Sequence, residues 1–336
     1  MTLRLSVLDQ SVSLAGSSED AAIRDTVSLA EHCEPLGYSR FWVSEHHGLP
    51  TIIGSAPEIV MAAIAARTQT IRIGSAGVML PHYSALKVAE QFRVLEALAP
   101  GRIDLGVGRA PGGDMRTARA LNPNAAAAAD HFPEQVRDLH AWTSAGTHNG
   151  ITAHPLGPHA PEIWILGSSD YGAQLAAHFG LPYAFAYFFT DGQGAEQALA
   201  LYRRLYKQSD RHPTPQATLC IWALAAGSDE EAAHLALSRD RWRIDRGCGV
   251  LGPLQSPDDI AARGFDAAEE QSLASMRARA FVGSAKTVAA RIAALVEAFA
   301  LDEVVINTWA HDPAVRRASY AAIAAEFGLT RRAART

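Results

Sequence analysis

The sequence has few cysteines, no excess of positive charge and no long apolar run. Its 336 residues include three widely spaced cysteines, from which neither a disulfide framework nor a zinc site can be read. Thirty basic against 35 acidic residues give a net charge of −5, which argues against a general nucleic-acid binder or a membrane-surface protein. The N-terminus also lacks the features of a signal peptide, and no stretch could span a bilayer. We therefore expect a cytoplasmic protein without nucleic-acid or membrane partners.

What the sequence does contain is a regular alternation of short apolar strands and amphipathic helices. The pattern predicts eight strands, the first over residues 3–8 and the last over residues 304–307, each followed by a helix. Strand–helix alternation implies a parallel sheet. No G-x-G-x-x-G follows the first strand, as a doubly wound nucleotide-binding fold would require. Eight units over this length favour an α/β fold of the closed (β/α)₈ TIM-barrel type.

Two stretches interrupt this alternation. Residues 110–130 and 246–284 are long for barrel connections and carry several glycines and prolines. Such insertions at the carboxyl-end loops are often lids or binding loops, so we expect both to cover a site. No linker divides the chain, which predicts a single domain over residues 1–336.

The first candidate chemistry follows the second strand, at Glu45-His46-His47. Adjacent residues of an extended segment point to opposite sides, so the two histidines cannot easily bind one metal ion. Neither H-x-H nor H-E-x-x-H occurs there, and no metal site is predicted. Either one histidine faces the barrel mouth and acts in catalysis, or both are hydrogen-bonded structural residues.

Small residues follow the third and fourth strands. Ala76 and Gly77 would allow a flat group to lie close to the backbone, although barrel packing alone can also require small residues. Gly106 and Gly108 share one face of the fourth strand and leave room inside the barrel. Arg109 then emerges at the mouth, where a guanidinium can bind a phosphate or pair with a loop carboxylate.

The fifth strand ends at Gly167-Ser168-Ser169, where a helix begins. The free amides and positive dipole end of a helix N-terminus form a phosphate site, and two hydroxyls add donors. The simpler interpretation is that Ser169 or Asp170 caps the helix.

Taken together, these motifs resemble the bacterial luciferase-like family of flavin-dependent monooxygenases. The order and spacing of the matching segments are specific, although each motif alone is not. Gly-Ser-Ser and Gly-Arg-Ala-Pro-Gly are most similar to the single-chain luciferase-like oxidoreductase subgroup. The matching segments are residues 41–47, 71–81, 88–92, 100–112, 164–169, 176–183 and, less tightly, 281–327.

The resemblance implies an enzyme that binds FMN in its reduced form, supplied by a separate flavin reductase. Reduced FMN and O₂ would form a flavin hydroperoxide that oxygenates a small organic substrate. By position, His46 matches the catalytic histidine beside flavin and substrate, and Ala76–Gly77 matches a non-prolyl cis peptide under the flavin ring. The matched phosphate-binding residues are Arg109, Gly167, Ser168 and Ser169.

The resemblance also implies a homodimer, because His47 and Glu90 match luciferase positions at the subunit interface. Three residues depart from luciferase: Gly108 replaces a reactive cysteine, Ser168 an acidic residue and Gly172 a threonine. The match therefore does not extend to light emission or to the luciferase substrate. Three alternatives remain open: a deazaflavin-dependent hydride-transfer enzyme, a non-catalytic flavin-binding protein and, as a minor option, a metal hydrolase.

Overall fold

A computed structural model describes residues 3–109 and 114–331, which form eleven β-strands. Eight parallel strands close a barrel by pairing in the order β11–β1–β2–β3–β4–β7–β8–β9, with β9 returning to β11. Strand β10 pairs only with the carboxyl half of β9, and β5 and β6 form a separate hairpin. The strands are β1 (Arg4–Asp9), β2 (Arg40–Val43), β3 (Arg72–Met79), β4 (Ile103–Gly108), β5 (Thr147–His148), β6 (Ile151–Thr152), β7 (Glu162–Gly167), β8 (Tyr183–Phe185), β9 (Ala217–Ala226), β10 (Phe281–Ser284) and β11 (Glu303–Asn307).

Fourteen α-helices in the described part of the chain surround the barrel and cover its ends. None of them is both long and apolar enough to cross a membrane. The helices are α1 (Glu19–Cys33), α2 (Pro57–Arg67), α3 (Ala85–Leu98), α4 (Met115–Leu121), α5 (Ala125–Asp130), α6 (Phe132–Ser144), α7 (Asp170–Phe179), α8 (Tyr187–Thr190), α9 (Ala195–Leu205), α10 (Asp229–Gly247), α11 (Pro257–Arg263), α12 (Ala267–Ala278), α13 (Ala285–Phe299) and α14 (Pro313–Glu326).

The barrel strands are apolar on both faces because each face is buried. In β9, Leu219 and Ile221 belong to the core between strands and helices, whereas Cys220 and Trp222 belong to the barrel interior. Successive side chains of a strand point to opposite sides, so a strand covered by helices and closed into a barrel needs apolar residues at nearly every position.

An ion-pair network closes the amino-terminal end of the barrel. The Arg40 guanidinium contacts Asp104 at 2.8 Å, Glu303 at 2.9 Å and Glu162 at 3.1 Å. Arg72 adds a second cation beside Asp104 and Glu162. The three acids and two arginines each lie on a different strand, so the network ties five strands together below the apolar interior.

The eight predicted barrel strands are confirmed, and the expectation of a TIM barrel with them. The two long connections, however, contain more regular structure than the sequence pattern indicated. Residues 246–284 include α11, α12 and β10, and residues 114–130 include α4 and α5. Their caps were visible in the sequence: Ser256 caps α11, and Asp266 with Glu269 forms a capping box on α12. The remaining residues of the first connection, 110–113, lie outside the described residues.

Candidate functional site

The carboxyl-terminal end of the barrel divides into two halves of different composition. Strands β2, β3, β4 and β7 end in small residues, which we call the small half: Ser44, Ala76, Gly77, Gly106, Gly108 and Gly167. The remaining strand ends and the segments that cover them carry bulky apolar residues, which we call the aromatic half: Val12, Phe188, Trp222, Leu254 and Trp309.

Close packing accounts for two of the glycines in the small half. The Ala76–Gly77 peptide bond is cis, as predicted from the resemblance. A Cβ atom on Gly77 would stand 2.3 Å from the Cδ1 atom of Leu166, and one on Gly106 would stand 2.2 Å from the carbonyl oxygen of Ser75. At Gly108, by contrast, no described atom lies within 4 Å of that position. Glycine is thus required at Gly77 and Gly106, and space is open above Gly108.

His46 lies at the edge of the small half, just after β2. Its backbone N–H donates to the carbonyl oxygen of Gly54 at 2.8 Å, and its Nδ1 atom lies 3.2 Å from the Ser44 hydroxyl. Burial lowers the pKa of His46 to about 4, and the positive charge of Arg246 acts in the same direction, while Glu45 opposes it. The imidazole is therefore neutral near pH 7, and its Nε2 atom makes no hydrogen bond within the described residues.

His47 follows His46 on the same segment. Its Nε2 atom lies 2.8 Å from Glu45 Oε1, which also accepts a hydrogen bond from the Tyr83 hydroxyl at 2.7 Å. The backbone N–H of Met79 donates to the second oxygen of Glu45 at 3.1 Å. The two histidines thus have different partners, and His47 is held by its own chain, while the side that each faces stays a prediction. Among the described residues, no group of three His, Cys, Asp or Glu side chains could hold a metal ion.

Arg109 lies beside the first turn of α7. Its guanidinium carbon is 4.0 Å from the centre of the Tyr171 ring, and it pairs with no carboxylate in the described part of the chain. Ser169 stands at the N-cap position of α7, but its side chain accepts no hydrogen bond from the helix. Ser168 and Ser169 are both exposed. The arginine and the turn predicted to bind a phosphate therefore lie close together, each with unused donors.

The aromatic half was not predicted. Trp222 on β9 and Trp309 after β11 are both buried, and the indole N–H of each has no hydrogen-bond partner in the part of the chain that the structure describes. Trp242 of α10 packs on Trp309, with ring centres 4.6 Å apart. The alternation along β9 and the position of Trp309 just beyond a strand end were available signals, because strand ends line the mouth of a barrel.

The segment after α10 crosses over the aromatic half. Leu254 forms a bridge with Leu14 in the loop after β1, and the Thr51 hydroxyl donates to the carbonyl oxygen of Gly252. The indole N–H of Trp242 donates in turn to Thr51 Oγ1 at 3.0 Å. This part of residues 246–284 is thus anchored across the loops after β1 and β2. Whether it acts as a lid stays a prediction.

The chain belongs to the luciferase-like monooxygenase family, whose family model matches residues 3–302. A luciferase-like monooxygenase of Escherichia coli is 36% identical over 321 residues, which cover 95% of each chain. An N-acetyl-S-alkylcysteine monooxygenase of Bacillus subtilis is also 36% identical, over 95% of this chain and 96% of the relative. The crystal structure of apo-MsnO8 superposes with a TM-score of 0.91 at 33% identity, over 98% of this chain and all of the other.

More distant solved structures share the fold alone. One is the oxygenating constituent of the 3,6-diketocamphane monooxygenase of Pseudomonas putida in complex with FMN, at a TM-score of 0.70 and 19% identity, over 97% of this chain and 98% of the other. Another is an F420-dependent secondary alcohol dehydrogenase, at a TM-score of 0.63 and 15% identity, over 96% of this chain and 98% of the other. One barrel thus accommodates two kinds of flavin, and the choice for this chain has to be argued from its own residues.

Proposed function

We propose that this protein is a monooxygenase that uses reduced FMN and O₂ to oxygenate a small organic substrate. The observation that carries the proposal is the small half itself. Closely packed glycines lie near a neutral histidine, and an arginine with no carboxylate partner among the described residues stands at the end of β4. A planar ring could lie over the glycines, and its phosphate would pair with the arginine.

The residues fit FMN in the following way. Ala76, Gly77 and Gly106 would lie under the isoalloxazine ring, while Arg109 and the Gly167–Ser169 turn would hold the phosphate. Two exposed serine hydroxyls and the N-terminus of α7 supply further donors. When bound, the reduced flavin supplies the electrons that activate O₂.

The remaining steps belong to the protein. His46 is neutral and has a free Nε2 atom, so it can accept a proton from a substrate adduct or donate a hydrogen bond beside the flavin. The aromatic half supplies an apolar surface that holds the substrate body and excludes water. The names of the two monooxygenase relatives do not identify the substrate of this chain.

The proposal is tested by anaerobic titration of the protein with reduced FMN, followed by addition of O₂ with a panel of aldehydes, aromatic compounds and thioethers. We expect saturable binding of reduced FMN and O₂ uptake that depends on a substrate. Arg109→Ala should weaken FMN binding by about one to two orders of magnitude, since a charge-assisted hydrogen bond contributes roughly 1.5–3 kcal/mol.

Three results would contradict the proposal. Tighter binding of a reduced deazaflavin than of reduced FMN, with hydride transfer in the absence of O₂, would favour the deazaflavin enzyme. Binding of FMN without substrate-dependent O₂ uptake would favour a non-catalytic flavin-binding protein. An unchanged dissociation constant for FMN in Arg109→Ala would remove this arginine from the phosphate site.

We further propose that the chain forms a homodimer through α2 and α3 and receives reduced flavin from a separate reductase. Glu90, Val94 and Leu98 recur at every fourth position of α3 and so share one helix face, on which Val94 is 47% and Leu98 63% exposed. Ile59 on the neighbouring α2 is 68% exposed. Glu90 has no partner among the described residues, and His47 is held by Glu45 within its own chain. The apolar residues would therefore contribute most of the interface, and a monomeric mass by light scattering at micromolar concentration would refute it.

A further inference from the structure

Helix α10 directs one face toward the aromatic half of the mouth. Arg239, Trp242, Arg243 and Arg246 lie at positions i, i+3, i+4 and i+7 and therefore share that face. Trp242 packs on Trp309 and Arg239 on Trp222, so this face lies against the aromatic half. Of its three cations, Arg246 is exposed, Arg243 is half-buried and Arg239 is buried, and a buried charge normally comes with a partner of the opposite sign.

Arg239 is the one of these three arginines that is buried without such a partner. It is 8% exposed and makes no hydrogen bond or ion pair with the described residues. Its guanidinium carbon lies 4.1 Å from the centre of the Trp222 ring. None of its nitrogens is among the fully enclosed polar atoms without a partner, so the guanidinium still reaches accessible space.

The acids nearest to Arg239 are already paired with other arginines. Asp191 accepts two hydrogen bonds from Arg243, at 3.0 and 2.6 Å, and Asp240 accepts one from Arg277 at 2.7 Å. Burial, reinforced by the charge of Arg243, lowers the pKa of Arg239 to about 9, which still leaves the group positive at neutral pH. Asp191 and Asp240 raise the pKa of Arg239 in opposition to this, but neither forms a direct ion pair with it in the described part of the chain.

The residues around Arg239 also indicate the chemistry of the rest of the ligand. The Trp222 ring beneath the guanidinium belongs to one apolar cluster with Val12, Leu254 and Trp309. The Trp222 indole N–H is a second buried donor without a partner. A ligand that satisfied this site would carry an acceptor with negative charge on an apolar body.

We propose that Arg239 binds the carboxylate of an apolar organic acid, which is the substrate class of this enzyme. This inference rests on the proposed function, because it assigns the substrate that the aromatic half would hold opposite the flavin. The guanidinium over Trp222 would bind the carboxylate with two parallel hydrogen bonds, and the apolar body would extend over the aromatic half toward the small half. The phosphate site at Arg109 lies after β4 and β7, separated from β9 by β8, so the two anions would occupy different sides of the mouth.

Calorimetric titration of the full-length protein tests the proposal without turnover. The probes are ω-phenylalkanoates of increasing chain length and their primary amides, which match the acids in shape and lack the charge. We expect at least one acid to bind about ten-fold or more tightly than its amide. Arg239→Gln should weaken the binding of that acid by roughly 10- to 100-fold, because the charge-assisted contact is lost. The affinity for the amide should change by less than about two-fold.

Two control variants accompany this measurement. Arg263→Gln removes one positive charge from an exposed position on α11 and should leave both affinities unchanged. Arg239→Lys keeps the charge but not the paired donors, so it should retain part of the preference for the acid. Thermal melting of each variant reports whether it is folded.

The outcomes separate this proposal from its rivals. Equal affinities for acids and amides in the parent protein, no binding of any acid, or an unchanged acid affinity in folded Arg239→Gln would overturn it. If Arg239→Gln instead weakened FMN binding ten-fold, the anion bound by Arg239 would be the flavin phosphate, and the proposal would again be wrong. Because FMN is titrated separately, acid binding without FMN binding would refute the proposed function and leave the carboxylate site in place.

Discussion

Two buried arginines, one at each end of the barrel, have opposite electrostatic environments. Arg40 at the amino-terminal end is 4% exposed and contacts three carboxylates, and these raise its pKa above the ordinary value despite burial. Arg239 at the carboxyl-terminal end is 8% exposed, makes no ion pair with the described residues and stacks on an indole, and burial lowers its pKa. Similar burial thus gives opposite shifts, because only Arg40 is in direct contact with carboxylates.

The same difference extends beyond the two arginines. At the amino-terminal end, the acids of the network are paired with Arg40 and Arg72. At the mouth, Arg109, the Nε2 atom of His46 and the indole N–H of Trp222 have no acceptor or donor among the described residues. The carboxylates around Arg40 are thus paired within the protein, whereas the groups named at the mouth remain available to a ligand.

The largest effect should follow from removing Arg40. Arg40→Met leaves the buried Glu303 and the half-buried Glu162 with less compensation, so we expect the free energy of unfolding in urea to fall by roughly 3–5 kcal/mol. Turnover per folded molecule should stay near normal, because no ligand group contacts this end. Arg24→Gln is the matched control, since its pair with Asp20 is exposed and should contribute less than about 1 kcal/mol. A variant that folds normally and loses only activity would break the proposed division between the two ends.

The sequence predicted more of the small half than of either buried arginine. Period-two alternation was enough to predict different surroundings for His46 and His47, and the position of Arg109 at a strand end was enough to bring it near α7. The partners of Arg40 lie 64, 122 and 263 residues away along the chain, so no local pattern connects them.

Arg239 was missed for a related reason. In the sequence it is one of several charged residues in a polar helix, and such residues are usually solvated. Only the packing of α10 against β9 turns this residue toward Trp222. Strand β10 was missed because two of its four residues are Gly and Ser, which are typical of turns and loops.

The second largest effect should follow from removing His46, which tests the carboxyl-terminal end of the barrel. His46→Ala should reduce turnover by roughly 10²–10⁴-fold, the usual range for a positioned acid or base. FMN binding and the free energy of unfolding should change little, because the phosphate site lies elsewhere.

His47→Ala is the matched control for His46→Ala. It removes the neighbouring imidazole, which is bonded to Glu45 within its own chain, and we expect near-normal chemistry with at most slightly weakened dimer assembly. Steady-state kinetics and light scattering of the two variants provide the measurement. If His46→Ala kept full turnover while His47→Ala lost it, the functions of the two sides of this segment would have to be exchanged.

The smallest predicted effect is a pH dependence of stability that differs between the two ends. The pKa of His46 is about 4 in the folded protein and about 6.5 when unperturbed, so between these values the unfolded chain binds more protons. This contribution to stability is complete above pH 6.5 and is lost as the pH falls toward 4. The pKa of Asp104 is lowered to about 2 by Arg40 and Arg72, although its burial opposes them, so its contribution is lost only below about pH 3.8.

His46→Gln should therefore flatten the pH dependence in one window and leave the other unchanged. Between pH 7 and pH 5, the parent protein should lose roughly 1–2 kcal/mol more of its unfolding free energy than the variant, by the linkage between proton binding and folding. Below pH 3.8 the two proteins should lose stability in parallel, because the network around Asp104 is intact in both. Urea unfolding at closely spaced pH values gives both slopes in one experiment. Identical slopes between pH 7 and pH 5 would mean that His46 is not held neutral by burial, and the acid–base role argued for it would lose its physical basis.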